Sequence, residues 1–182
     1  MGARGSRGGS HGGTMMRGIL VACLLGCLSA AAIAGKPDTF NCGLAAFRAH
    51  DNAAAVADFR HAAQEGDARA QTALGVMYHN GQGVPQDDNL AATFFRLAAQ
   101  QGDVAAKFKL GLMYAQGQGV PQDDAKAYKW FALAKAASKP GSHAYIVTNR
   151  DMRILKASMS SAQIAQGQLE AAVWRTVHPK GG

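Results

Sequence analysis

The chain has very little cysteine. Its 182 residues contain three, Cys23, Cys27 and Cys42, and the first two lie in a segment expected to leave the mature protein. One remaining thiol forms no internal disulfide, so the domain must be held together by its core. Cys42 reads as a small, partly buried residue at the start of a helix, with a nucleophile or an intermolecular link as the alternatives. The same shortage excludes the common thiolate zinc motifs, and His50, His61, His79, His143 and His178 lack H-x-x-x-H or H-E-x-x-H spacing. Neither S-x-x-K nor G-x-S-x-G occurs. Long runs of one charge are missing too. The formal charge is +7, from 19 Lys+Arg against 12 Asp+Glu, but Arg4, Arg7 and Arg17 supply three of those cations before the domain begins. No metal, cofactor, catalytic residue or nucleic-acid partner is expected.

One long apolar run is present, Gly18 to Ala34, "GILVACLLGCLSAAAIA". Met15-Met16-Arg17 precedes it, and Ala32-Ile33-Ala34 closes it with small residues where a signal peptidase reads. A basic start, an apolar centre and an A-x-A end describe a secretory leader cleaved after Ala34, so the protein is expected in the periplasm or outside the cell. Two alternatives stay open. Seventeen apolar residues reach the lower limit for a membrane-spanning anchor. Leu24-Leu25-Gly26-Cys27 resembles a lipoprotein box, with Cys27 as the lipidated residue. Membrane attachment is expected only through this N-terminus.

Beyond the leader the chain repeats itself. Residues 66–101 laid over 102–137 give 19 identities in 36 positions without a gap. A period of this size means stacked supersecondary units. Each reads as two helices. Ala70, Leu74, Met77 and Tyr78 share one face of a 3.6-residue helix, as do Ala91, Phe94, Phe95 and Ala98. The second copy has Ala106, Leu110, Met113 and Tyr114, then Ala127, Trp130, Phe131 and Ala134. Phe94, Phe95, Trp130 and Phe131 sit at core spacing, so a base-stacking role is not expected. Gly75 and Gly111 recur inside the first helices, where glycine costs about 1 kcal/mol against alanine, and imply a close backbone crossing.

The joining stretch "GQGVPQDD" occurs at Gly81–Asp88 and Gly117–Asp124. It is not a phosphate loop. Gln86 and Gln122 stand where a third glycine belongs, and Pro85 and Pro121 remove N–H donors. A structural reading fits each residue. Gly81 stops the first helix, Gly83 frees the turn, Val84 packs inward, and Asp87 or Asp88 caps the second helix.

These residues carry a resemblance. The pattern A-x-x-x-LG-x-MY-x-x-G-x-GVPQDD, followed by the A-x-x-x-F and LA of the second helix, resembles the Sel-one-like repeat, a relative of the tetratricopeptide repeat. The resemblance implies an all-α protein, a right-handed superhelical α/α solenoid that binds a protein or peptide without catalysis. It marks Leu74, Gly75, Tyr78, Gly81, Gly83 and Ala98, with Leu110, Gly111, Tyr114, Gly117, Gly119 and Ala134, as residues that make the fold. Some cysteine-rich members of the family bind or hydrolyse β-lactams. Their paired cysteines are absent here, which leaves a cell-wall-acting protein as the alternative function, beside a lipid-anchored outer-membrane scaffold.

The organisation expected is a leader over 1–34, an atypical helix pair over 35–65, repeats over 66–101 and 102–137, capping helices over 142–176 and a disordered tail over 177–182. In the first pair Gly43–Arg48 reads as the first helix, and Phe59 and Ala55 take the places of Phe95 and Ala91. In the cap, Tyr145, Ile146, Met152, Ile154 and Leu155 are the apolar residues of one helix, and Ser160–Gln163 has capping-box form before another. This tail resembles those found after such repeats in bacterial envelope proteins. Arg60 and His61 read as solvated. Positions that differ between the copies are free for individual use. Thr72, Val76 and His79, with Phe108 and Leu112, form a stripe beside the core face, with Lys107 or Lys109 at its rim. This is the expected binding groove, unless those residues pack between repeats.

Overall fold

The computed structural model describes residues 38–179. The leader, its cleavage after Ala34 and the lipidation of Cys27 lie outside the described residues. Among these there are eight α-helices and no strand, and no helix is long and apolar enough to cross a membrane. The helices are α1 (Thr39–Arg48), α2 (Asn52–Gln64), α3 (Ala68–Asn80), α4 (Asp88–Gln100), α5 (Val104–Gln116), α6 (Asp124–Ala137), α7 (His143–Ser158) and α8 (Ser161–Val177). Three antiparallel pairs, α1/α2, α3/α4 and α5/α6, stack in chain order, the second helix of each pair against the first of the next. The fold is an α solenoid.

The apolar stripes explain the stack. Ala70, Leu74, Ala91, Phe95 and Ala98 are all fully buried, as are Ala106, Leu110, Ala127 and Ala134. Alanine between large residues lets helices approach, and glycine lets a ring through. A Cβ on Gly75 would lie 2.6 Å from the Phe95 ring, and one on Gly111 would meet Phe131 just as closely. The same device joins Gly43 to Phe59 in the first pair. A ring pressed against bare backbone is therefore the repeated lock of each hairpin.

Polar ends finish the helices. Asp51, Asp67, Asp87, Asp103 and Asp123 cap α2 to α6, each accepting from a backbone N–H in the first turn. Gly81 and Gly117 end α3 and α5 in left-handed conformation. Ser160 and Gln163 form the reciprocal capping box of α8. The Asp67 carboxyl is held below the usual range, chiefly by its hydrogen bond from Arg69 at 2.6 Å. A depressed carboxyl stabilises the fold above its unfolded value of about 3.9, and that contribution disappears as pH falls through the lower folded value. Asn is also a good cap. Asp67→Asn should therefore lose stability above about pH 4 and converge on the parent in stronger acid. Urea titrations between pH 2 and 6 will show this; a gap independent of pH would refute the charge argument.

Two elements depart from the expected pattern. Helix α1 begins at Thr39, ahead of the expected Gly43, and Phe40 packs on Phe59 with centroids 5.6 Å apart. Helix α7 buries only Thr148, while Ile146 and Ile154 are 58% and 67% exposed. The reason is topological. Helix α7 lies on α6 and touches only the edge of α5, and α8 turns back onto α6 instead of covering α7. Gly167 makes that return possible, because a Cβ there would meet the Ala125 carbonyl at 2.7 Å and the Tyr128 ring.

Candidate interaction surface

The first helices of the pairs bury one side and show another. On α3, Thr72, Val76 and His79 are half-buried; on α5, so are Phe108 and Leu112. Positions shared by the two copies fill the core, and most positions that differ remain partly open. Val76 does pack against the core cluster, as the inter-repeat reading required. Phe108 leans on Phe131 at 5.7 Å between centroids yet stays half-exposed beside Leu112. Thr72 Oγ1 is buried with no hydrogen-bond partner among the described residues. His79 Nδ1 lies 2.6 Å from Asp88 Oδ1, which ties it to the joining loop at one end of the stripe.

Lys107 is not at the rim of the stripe: its side chain is fully buried. Burial pushes its ammonium pKa down, against the attraction of Asp103. The position explains why. Its counterpart in the first copy is Gln71, which is 6% exposed, accepts from Gln101 Nε2 at 2.8 Å and donates to the Ala63 carbonyl at 3.4 Å. This register therefore faces the preceding unit and carries a polar joint. Lys109, half-buried on the open side of α5, is the cation of the stripe.

The residues of the repeated pattern lie in the core or at its turns. Leu74, Leu110, Ala98 and Ala134 are fully buried, and Gly75 and Gly111 receive the rings. Tyr78 stacks on Phe94 at 5.7 Å and accepts from Arg60 Nη2 at 2.6 Å, so Arg60 is not simply solvated. Gly83 and Gly119 press on the first residues of the preceding second helices, Asn52 and Asp88.

Other features were not read from the sequence. Lys129 Nζ lies 5.1 Å from the Trp130 ring centroid, 5.3 Å from that of Trp174 and 3.8 Å from Glu170 Oε2, fastening α8 to α6. Burial lowers its pKa, and Glu170 partly restores it. The latch joins residues far apart in sequence, and spacing does not reveal it. Leu169, Val173 and Val177 form an exposed apolar row on α8, and their i, i+4, i+8 spacing could have been noticed. Two open cavities lie away from the stripe. One of about 430 Å³ lies between α6 and α7, beside Tyr128, Lys135, Tyr145 and Met152. Another of about 410 Å³ lies between the starts of α6 and α8, among Gln122, Asp123, Gln163 and Gln166. In the first, Lys135 Nζ is held by Asn149 Oδ1 at 2.8 Å. No cluster of three or more metal-ligating side chains occurs among the described residues. Cys42 is half-buried on α1.

The Sel1 repeat family matches residues 68–103 and 104–138. A crystal structure of a protective antigen from uropathogenic Escherichia coli strains, displaying an SLR fold, superposes with TM-score 0.71 at 30% identity, over 79% of this chain and 30% of that one. This chain thus spans less than a third of the antigen's length. A Sel1 repeat protein from Oxalobacter formigenes matches at 35% identity over 47% of this chain and 66% of its own, with TM-score 0.47. No curated protein matches significantly.

Proposed function

We propose, since residues 68–138 of this chain are two Sel1 repeats in tandem, that it is a non-enzymatic scaffold of the bacterial cell envelope that holds a protein or peptide partner on the face of its first helices. Sel1-repeat stacks are helical interaction scaffolds, and generally do no chemistry. The observation that carries the reading here is the half-exposed stripe of Val76, Phe108 and Leu112, at positions where the two copies differ. A side chain kept apolar and accessible, while its neighbours one and two residues away fill the core, is available to a partner. The envelope location rests on the apolar segment Gly18–Ala34 and its A-x-A end.

The test is a paired capture experiment. Tagged protein and a Phe108→Ser/Leu112→Ser variant are incubated with a bacterial envelope fraction, and retained proteins are identified by mass spectrometry. The parent should retain a defined partner that the variant loses by at least about tenfold, equivalent to about 1.4 kcal/mol, while both give the same circular dichroism at 25 °C. Early melting of the variant with no partner lost would mean that these side chains serve only the stack.

A further inference from the structure

The acidic residues of this protein are unevenly placed. Five are the aspartate caps, and Asp88 and Asp124 occupy the first turns of α4 and α6. Helix N-termini draw carboxylates because their N–H groups are unsatisfied and the dipole is positive there. The demand leaves few for the faces. Helices α1, α3 and α5 contain no Asp or Glu at all. The one carboxylate of α7, Asp151, is paired with Arg150 at 2.8 Å.

Cations are present on the same helices. Arg48 is exposed on α1, Arg69 on α3, and Arg150 and Arg153 on α7; Lys109 is half-buried on α5. Those of α3, α5 and α7 are accompanied by aliphatic side chains that are not fully covered: Val76 on α3, Leu112 on α5, and Ile146 with Ile154 on α7. On α7 the order Ile146, Arg150, Arg153, Ile154 follows i, i+4, i+7, i+8, a single helical face. Helix α7 follows α6 as α5 follows α4, and it touches α5, so it extends the layer of first helices. Neither Lys109 nor Arg153 has an ion-pair partner among the described residues.

We infer that the layer of first helices binds a peptide segment in which acidic residues alternate with aliphatic ones. This rests on the scaffold reading above and supplies the chemistry of the partner. Arg69 is tied to Asp67 and Arg150 to Asp151, so the uncompensated charge is that of Lys109 and Arg153, and it selects an anionic partner and repels a basic one. The aliphatic positions select against a purely electrostatic ligand, since they gain only from apolar contact. Val76 and Leu112 also favour a peptide over an anionic bilayer, being half-buried, reachable by side chains laid across them but too recessed to insert into lipid; the exposed Ile146 and Ile154 do not discriminate, and the vesicles below decide for them.

Fluorescence anisotropy with labelled twelve-residue peptides tests this on the full chain. The probes alternate Glu/Leu, Gln/Leu, Lys/Leu and Glu/Ser, beside phosphatidylglycerol vesicles. The Glu/Leu peptide should bind at least about tenfold tighter than the others and weaken as salt rises. Lys109→Glu/Arg150→Glu/Arg153→Glu should cut Glu/Leu binding at least about fivefold, with unchanged circular dichroism, and leave Gln/Leu binding alone. The milder Lys109→Gln/Arg153→Gln should lower it in the same direction. Equal binding of Gln/Leu or Lys/Leu, or indifference to the charge changes, would overturn the inference. So would tighter binding to the vesicles, or no binding to any probe. In any of these cases a partner lost by Phe108→Ser/Leu112→Ser would leave the scaffold reading standing.

Discussion

Phe95→Ala should destabilise the protein by about 3–5 kcal/mol, followed by urea denaturation. Phe95 is fully buried, and its ring lies where a Cβ on Gly75 would be, so its removal leaves a cavity at the closest point of α3 and α4. It also lies in the middle pair, where loss of one hairpin weakens the joints on both sides, because repeat stacks gain stability from nearest neighbours. The equivalent change at Phe59, in the first pair, should be milder. A second substitution gives the lock a distinctive sign. Gly75→Ala alone should cost about 1–3 kcal/mol by overpacking against the ring. In the Phe95→Ala background the same methyl group has room, and the normal helical preference for alanine returns, with a gain of up to about 1 kcal/mol. If Gly75→Ala destabilises both backgrounds equally, the ring is not what the glycine accommodates.

Gly119→Ala should cost about 2–5 kcal/mol, from left-handed strain and steric overlap together. Gly119 has φ +64, and an added Cβ would overlap the Asp88 carbonyl, which belongs to helix backbone and cannot turn aside. The loop would have to lift off the preceding unit. Gly117 provides the control. Its φ is +68, but a Cβ there would find its nearest neighbour, Gln122 Cβ, at 3.3 Å. Gly117→Ala should therefore cost only about 1–2 kcal/mol of backbone strain. Thermal melts of the two variants separate the effects. Equal losses would mean that conformation alone, and not contact with the earlier unit, explains both glycines.

The sequence made the hairpins readable because their rule is local. Ala70, Leu74 and Met77 share a face by spacing alone, Gly81 ends a helix by its own conformation, and Asp87 caps the next from its own position. The glycine crossing was legible for a different reason: its cost in a helix interior demands a cause, and two copies showed it was no accident. The site was read less well. Lys107 sits at a register that faces the preceding unit, and a helical wheel does not say which neighbour a stripe will meet. A charged side chain suggested the rim, but its alkyl stem and the polar joint of that register allow burial. The C-terminal helices were the least legible. Their arrangement depends on Trp130 meeting Trp174 edge to face at 4.8 Å, a contact between residues with no repeat to announce it. The exposed Ile146 and Ile154 follow from the same return of α8 onto α6.

The first hairpin closes with three residues, Ala49–Asp51, His50 taking the left-handed conformation at φ +61, while the later two use the longer glycine-rich connection. Gly83 rests on the start of α2 and Gly119 on the start of α4. Each long connection is thus a footing laid on an earlier rung, and the first described hairpin, with no earlier rung among the described residues, dispenses with it. Counting such connections along a related chain would then count junctions rather than hairpins, and a short one in mid-chain would mark where a ladder begins afresh.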